Sequence, residues 1–415
     1  MRKTETIETP TSLRLGQLFR GNIGVIIGSN MVNGFGTGII SPFLSLYFVS
    51  IGGDPIRLGL MSSLSTLIQC LILFIGGRLA DHYGRRRLIV IAAFYAILFP
   101  ALYALIHDWR IFFLTSALGA FGAVSSPALH ATVADSVPPS KRTTAISVLQ
   151  VFPAFPTVFS PLIGGWFIAA YGLQIGFRLA CVFVAGTTLV SALIMLLFLK
   201  ETIRPENVQE SATHSNSPLS VRRALSSQSL HSLVALLSAY GLIAFANALV
   251  SNYYILYANS VIHIDAFNYG IIISLQILFI TLLKIPGGWA SDKYGKKKIM
   301  IISILTCIPF VIAFTFSRLF VQAAVTMVLL AIAGMYYAPA HEALQADLAP
   351  REIRGRVTSF WDIAGAVGGA IGAPLGGFFF QAIGPATPFY LFAVVEAAAA
   401  ILIIVCVREP QRAEN

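Results

Sequence analysis

Gly77-Arg78-Leu79-Ala80-Asp81-His82-Tyr83-Gly84-Arg85-Arg86-Arg87 lies between two long apolar runs. It returns 211 positions later as Gly288-Trp289-Ala290-Ser291-Asp292-Lys293-Tyr294-Gly295-Lys296-Lys297-Lys298. The apolar flanks make each copy a tight, charged connection between two membrane helices. A connection that recurs at half the chain length implies two equivalent halves. Gly77 and Gly288 are expected near a helix end, where a missing side chain admits a neighbouring helix. Asp81 and Asp292 follow one turn later, placed to accept from a helix N-terminus or to pair with a cation. Gly84 and Gly295 suit the left-handed backbone of a short reversal. The basic triplets Arg85 to Arg87 and Lys296 to Lys298 mark the membrane face that holds Lys and Arg.

A second repeat supports the same division. Asp135-x-x-Pro138-x-x-x-Arg142 matches Asp347-x-x-Pro350-x-x-x-Arg354 at an offset of 212, and Gly122 and Pro127 match Gly334 and Pro339. The doubled G-x-x-x-D-x-x-G-[RK]-[RK] pattern resembles the signature loop between helices 2 and 3 of the major facilitator superfamily, with its degenerate copy between helices 8 and 9. The resemblance implies a latch holding the two halves in the outward-facing state. It would be built from Gly77, Asp81, Gly84, Arg85, Arg86, Asp135 and Arg142, and from Gly288, Asp292, Gly295, Lys296, Asp347 and Arg354. Arg85 would pair with Asp135, and Lys296 with Asp347. His82 departs from the Arg or Lys usual in the family.

Composition agrees with a membrane protein. The 415 residues are 56% hydrophobic and only 11% charged, with a mean hydropathy of +0.79. A soluble domain carries about 25% charged residues. The net charge of +10 does not point to nucleic acid. Its Lys and Arg gather on the alternate connections of one face, while the other face holds only Arg57, Arg110, Arg178 and Arg318. That asymmetry is the positive-inside pattern with both termini cytoplasmic, in an inner membrane crossed many times. The four cysteines all sit in apolar runs without metal-ligand spacing, and a cleavable signal peptide is absent from the polar, basic start.

Twelve apolar segments of about the 20 residues a bilayer demands are expected at 21–49, 57–79, 88–106, 111–133, 143–169, 177–199, 232–256, 267–289, 299–317, 320–345, 357–382 and 388–407. The fold expected is an all-α membrane protein, two pseudo-symmetric six-helix bundles about a central cavity. Residues 1–20 form an N-terminal tail, 21–199 the first bundle, 200–231 a Ser-rich polar linker, 232–407 the second bundle and 408–415 a C-terminal tail. Ser160-Pro161-Leu162-Ile163-Gly164-Gly165 and Gly372-Ala373-Pro374-Leu375-Gly376-Gly377 resemble the family's G-P-x-x-G-G element, characteristic of its drug:proton antiporters. Ser160 replaces a glycine, and Pro374 is displaced by one position. Paired glycines permit close helix packing, and the proline adds a kink.

Ionisable groups inside a bilayer are costly and mark function. Glu342, with His130 at the equivalent position of the first half, is expected either as a titratable cluster across the cavity or as a structural network at its inner end. Asp362 is a further proton candidate or a latch residue. Glu396, deep among alanines, is a further proton candidate, or else pairs with Lys284 or marks an interface. The substrate cavity is expected to draw on Asn30, Asn33, Gln150, Asn247, Asn252, Tyr253, Tyr254 and Gln276. No catalytic residue, cofactor or metal is expected, and the P-loop of an ATP-driven pump is missing from the sequence. The expected function is alternating-access secondary transport by a monomer, exporting amphipathic or lipophilic small molecules against protons. An importer of a small neutral metabolite is the alternative. An intramembrane protease is remote, since His341-Glu342 lacks the second histidine of H-E-x-x-H.

Overall fold

A computed structural model describes residues 21–137, 149, 151–202, 227–348 and 354–408. Among the described residues, twelve helices are long and apolar enough to cross a membrane. They are α1 (Asn22–Ser50), α2 (Pro55–Leu73), α3 (Arg85–Leu105), α4 (Trp109–Val133), α5 (Ala154–Tyr171), α6 (Leu173–Phe198), α7 (Leu230–Ser260), α8 (Ala266–Lys284), α9 (Lys296–Thr315), α10 (Phe320–Leu348), α11 (Val357–Ala382) and α12 (Thr387–Cys406). Among the described residues there is no strand. The expected tails, most of the linker and the start of the expected fifth segment lie outside the described residues.

The charged connections are shorter than expected. The helix of α2 runs from Pro55 to Tyr83 and that of α8 from Ala266 to Tyr294, so one glycine separates each from the next helix. Gly84 has φ 90° and ψ 138°, and Gly295 φ 94° and ψ 137°. A Cβ would strain that backbone, so glycine is required. The opposite ends of the same helices are also matched. Asp54 accepts from the Arg57 amide and Asp265 from the Asn268 amide, each satisfying a helix donor that otherwise has no partner.

Each basic triplet binds its half together. Arg85 pairs with Asp135 at the end of α4, and Lys296 with Asp347 at the end of α10, 2.5 Å away. Arg86 donates to the Leu196 carbonyl, and Lys297 to the Ile404 and Val407 carbonyls. These cations therefore occupy the C-terminal ends of α6 and α12, where the helix dipole favours positive charge. Asn22 exchanges two 2.9 Å bonds with the backbone of Lys200, and Ser232 accepts from the Arg408 amide. First and last helices of both halves are thus tied at equivalent points.

The opposite end of each half carries a matched tyrosine. Tyr47 donates to the Ile106 carbonyl and Tyr257 to the Thr315 carbonyl, both at 2.7 Å. Tyr47 stacks on Phe177 at 4.1 Å, and Tyr257 packs against Phe314 and Phe389.

The halves meet on the side away from the described chain ends. Hydrogen bonds crossing between them, among the described residues, run from Ser63 to Ala370 O, from Asn252 to Ser62 Oγ and from Tyr253 to Pro55 O. The glycine pairs bring the backbones together. A Cβ on Gly164 would strike Ile39 O of α1, and one on Gly376 would strike Leu249 O of α7. The second glycines face the other half, with Gly165 against Ala266 O and Gly377 against Pro55 O. Gly372 meets Phe245 O, while Pro161 O receives Gly270 from across the interface. Gly77 corrects an expectation. Nothing lies within 4 Å of its Cβ position, and it is Gly76 that meets Val124 O, at 2.5 Å. One residue turns a helix by about 100°, enough to exchange the packed glycine for its neighbour.

Two outcomes follow from this packing. Gly376→Ala should lose about 1–3 kcal/mol, the usual cost of overpacking, whereas Gly186→Ala, with nothing within 4 Å of its Cβ, should stay near wild type. Thermal melting of the detergent-solubilised protein checks the contrast, and equal melting would contradict the packing. Tyr253→Phe removes bonds to Pro55 O and Ala373 O. At about 1 kcal/mol for such bonds, the sealed side should open roughly fivefold more often, read as faster labelling of a cysteine placed at Ser62.

Candidate functional site

Between the seal and the face bearing the chain ends lies a cavity of about 1040 Å³. Among the described residues, the first half contributes Ser41, Pro42, Ser45 and Val151 to its lining. Helices α7 to α10 and α12 supply the rest, including Asn247, Asn252, Tyr254, Gln276, Lys284, Glu342 and Glu396. Apolar walls with a few convergent polar groups are the usual build of a small-molecule site.

The polar residues differ in how they are held. Asn247 donates to the Ile243 carbonyl, Asn252 to Ser62 Oγ at 2.8 Å, and Gln276 to the Met327 carbonyl at 2.8 Å. Each amide is thereby oriented with its oxygen still able to accept. Glu396 is only 4% exposed. Among the described residues it enters no hydrogen bond or salt bridge, and no ion pair joins it to Lys284. Its carboxyl therefore reaches the cavity from α12 without a fixed partner. An acid in that position is costly when ionised in an apolar surround. It can accept a proton or meet a cationic ligand.

Several expected residues lie elsewhere. Tyr253 is fully buried and belongs to the seal, donating to Ala373 O at 2.7 Å. Asn30 and Asn33 line a separate cavity of about 340 Å³ among α1, α3, α4 and α6, with Ser29, Ser125 and Ser191. Asp362 lines a third space of about 380 Å³ beside the central cavity. His130 is exposed on α4 and lines none of the three, so it is not brought together with Glu342. Arg142 and Gln150 lie outside the described residues, as do the side chains of Asp81, Asp292 and Arg354. Gly288, too, is described only as part of its helix.

Sequence reasoning missed Ser41, Ser45, Tyr269 and Tyr337 as lining residues. It also missed the Tyr47 and Tyr257 pins, although their 210-residue offset carried the signal. Among the described residues no group of three or more His, Cys, Asp or Glu is placed to hold a metal.

Known proteins agree with this architecture. Multidrug resistance protein MdtG of Dickeya zeae (strain Ech586) is 26% identical, covering 83% of this chain and 85% of its own. MdtG of Proteus mirabilis (strain HI4320) is 25% identical over 95% and 98% of the two chains. Multidrug resistance protein MdtH of Salmonella arizonae is 26% identical over 85% and 84%. Among solved structures, a D-xylose-proton symporter superposes with a TM-score of 0.75 at 15% identity, covering 93% of this chain and 97% of its own. A bacterial homologue of the human lysosomal transporter Spinster, in an inward-facing and occupied conformation, gives 0.72 at 16% identity over 92% and 96%. At such identities these structures speak for the fold alone. The family model of the Major Facilitator Superfamily matches residues 26–264 and 236–415, and the chain is a membrane transporter belonging to that superfamily.

Proposed function

We propose that the protein is a proton-coupled exporter of amphipathic or lipophilic small molecules, working as a monomer in the inner membrane with both termini in the cytoplasm. The observation that carries the reading is the central cavity of about 1040 Å³, apolar over much of its wall and presenting Glu342 and Glu396. Walls of this kind bind by contact area and tolerate varied shapes, while the acids set a preference for charge. The names of the MdtG and MdtH relatives support export of drugs. The positive-inside pattern sets the face carrying Arg85 and Lys296 in the cytoplasm, so the seal faces outward and the conformation is inward-open.

Export then proceeds by exchange at the cavity. Substrate enters from the cytoplasmic face or the inner leaflet and seats against the α7, α8 and α10 walls. Glu396 and Glu342 hold protons in one end state and release them in the other. A bound species shifts the balance between states only by its differential affinity for them. The pairs Arg85–Asp135 and Lys296–Asp347 keep each half rigid through the rocking motion. Asp81 and Asp292 act in the opposite state, latching the cytoplasmic ends.

The test uses proteoliposomes with an imposed pH gradient and ethidium as substrate. Wild type should accumulate the dye against its gradient and stop when the pH gradient collapses. Glu396→Gln should lower gradient-driven transport about 5–150-fold, the usual span of a coupling free energy, while downhill exchange persists. Transport indifferent to the pH gradient would remove the antiport reading. Full gradient-driven transport by both Glu396→Gln and Glu342→Gln would remove these residues as proton carriers.

A further inference from the structure

The space of about 380 Å³ beside the central cavity has an aromatic wall. His341, 3% exposed, is stacked between two tyrosines. The Tyr240 ring lies 4.8 Å away at 18°, and the Tyr337 ring 5.4 Å away at 23°. Trp361 closes the stack by donating its indole N–H to His341 Nε2 at 2.7 Å. An indole is a donor only, so Nε2 keeps its lone pair for that bond and the imidazole stands in the stack as a neutral ring. The chamber is thus walled by four aromatic rings, none of them cationic.

Two carboxylates complete it. Glu342 and Asp362 both line the chamber, both are exposed residues, and neither takes part in a salt bridge among the described residues. The Tyr337 hydroxyl is enclosed and has no hydrogen-bond partner. The chamber adjoins the central cavity, since Tyr337, Ala338 and Glu342 line both.

Rings and acids together select a ligand class. Aromatic faces attract a cation electrostatically but cannot replace a hydration shell. A small hydrated metal ion gains little there, and no metal-ligating group of three stands among the described residues. An organic cation has its charge spread over alkyl groups, loses little hydration on entry and meets both rings and carboxylates. The volume suits a single-ring ammonium and is too small for the larger molecules the central cavity can admit.

We infer that this chamber of Tyr240, Tyr337, His341, Trp361, Glu342 and Asp362 is a second binding site, for a small organic ammonium ion, sharing Glu342 with the central cavity. Occupation of one space then alters the charge met in the other, which couples the two through a single carboxylate. The claim concerns binding, so it stands or falls apart from the export reading.

Calorimetric titration of the full-length, detergent-purified protein with benzyltrimethylammonium tests it. Neopentylbenzene, the neutral carbon isostere, serves as the comparison ligand and needs no variant. The cation should bind about tenfold or more tightly than the isostere, as expected for a cation–π and carboxylate site. Asp362→Asn and Tyr240→Ala should each weaken cation binding by about the same factor, with folding verified by size exclusion and melting temperature. Equal affinity for the cation and its isostere overturns the inference. So does unchanged cation binding in folded Asp362→Asn and Tyr240→Ala. Loss of binding in Glu396→Gln with Asp362→Asn unaffected places the cation in the central cavity and likewise overturns it.

Discussion

Backbone touching backbone through paired glycines is the constraint on which the rest of the molecule depends. In a bilayer the surrounding lipid is as apolar as leucine, so helices are not driven together by the hydrophobic effect and must gain their cohesion from close contact. Gly164 and Gly376 press α5 and α11 onto the first helix of their own half, while Gly165 and Gly377 press them onto the second helix of the other. Each pair therefore faces two ways at once. One contact builds a half, and the other joins the halves. Because the joining contacts lie together on one side, the remaining separation between the halves becomes a cavity.

What the sequence made legible was whatever repeated. Two charged connections about half a chain apart disclosed the duplication, and the resemblance to the superfamily's signature loop implied the pairs Arg85–Asp135 and Lys296–Asp347 that the structure forms. What it hid was rotation about the helix axis. A segment apolar on all sides does not reveal which side meets a neighbour, so the sequence does not distinguish Gly77 from its packed neighbour Gly76. Tyr253 and Tyr254 show the same blindness. They are adjacent in the chain, yet one is locked into the seal and the other faces the cavity. Asn30 and Asn33 face a space enclosed within the first half, a placement that depends on how α3 and α4 pack and leaves no mark on α1 itself.

Duplication did not preserve equal chemistry. Both halves keep the basic bracket, the tyrosine pin and the glycine pair, which are mechanical parts. Among the described residues, the ionisable groups Lys284, Glu342 and Glu396 come to the central cavity from the second half, while the first presents Ser41 and Ser45. The equivalent of Glu342 in the first half is His130, which is exposed and lines none of the three cavities. Among the described residues, the charge facing the central cavity is therefore gathered on one hemisphere.

The 29-residue helices that end at Tyr83 and Tyr294 carry a consequence for the membrane around them. At 1.5 Å per residue each is about 43 Å long, well over the roughly 30 Å of hydrocarbon in a bilayer. Their glycine junctions, and the ion pairs beside them, therefore stand at the depth of the lipid phosphates. Anionic headgroups there attract basic residues by about 1 kcal/mol each, comparable with what a partly exposed ion pair contributes. Phosphatidylglycerol or cardiolipin can thus compete with Asp135 and Asp347 for their cations, which makes the rigidity of each half a property shared between the polypeptide and the lipids it is embedded in.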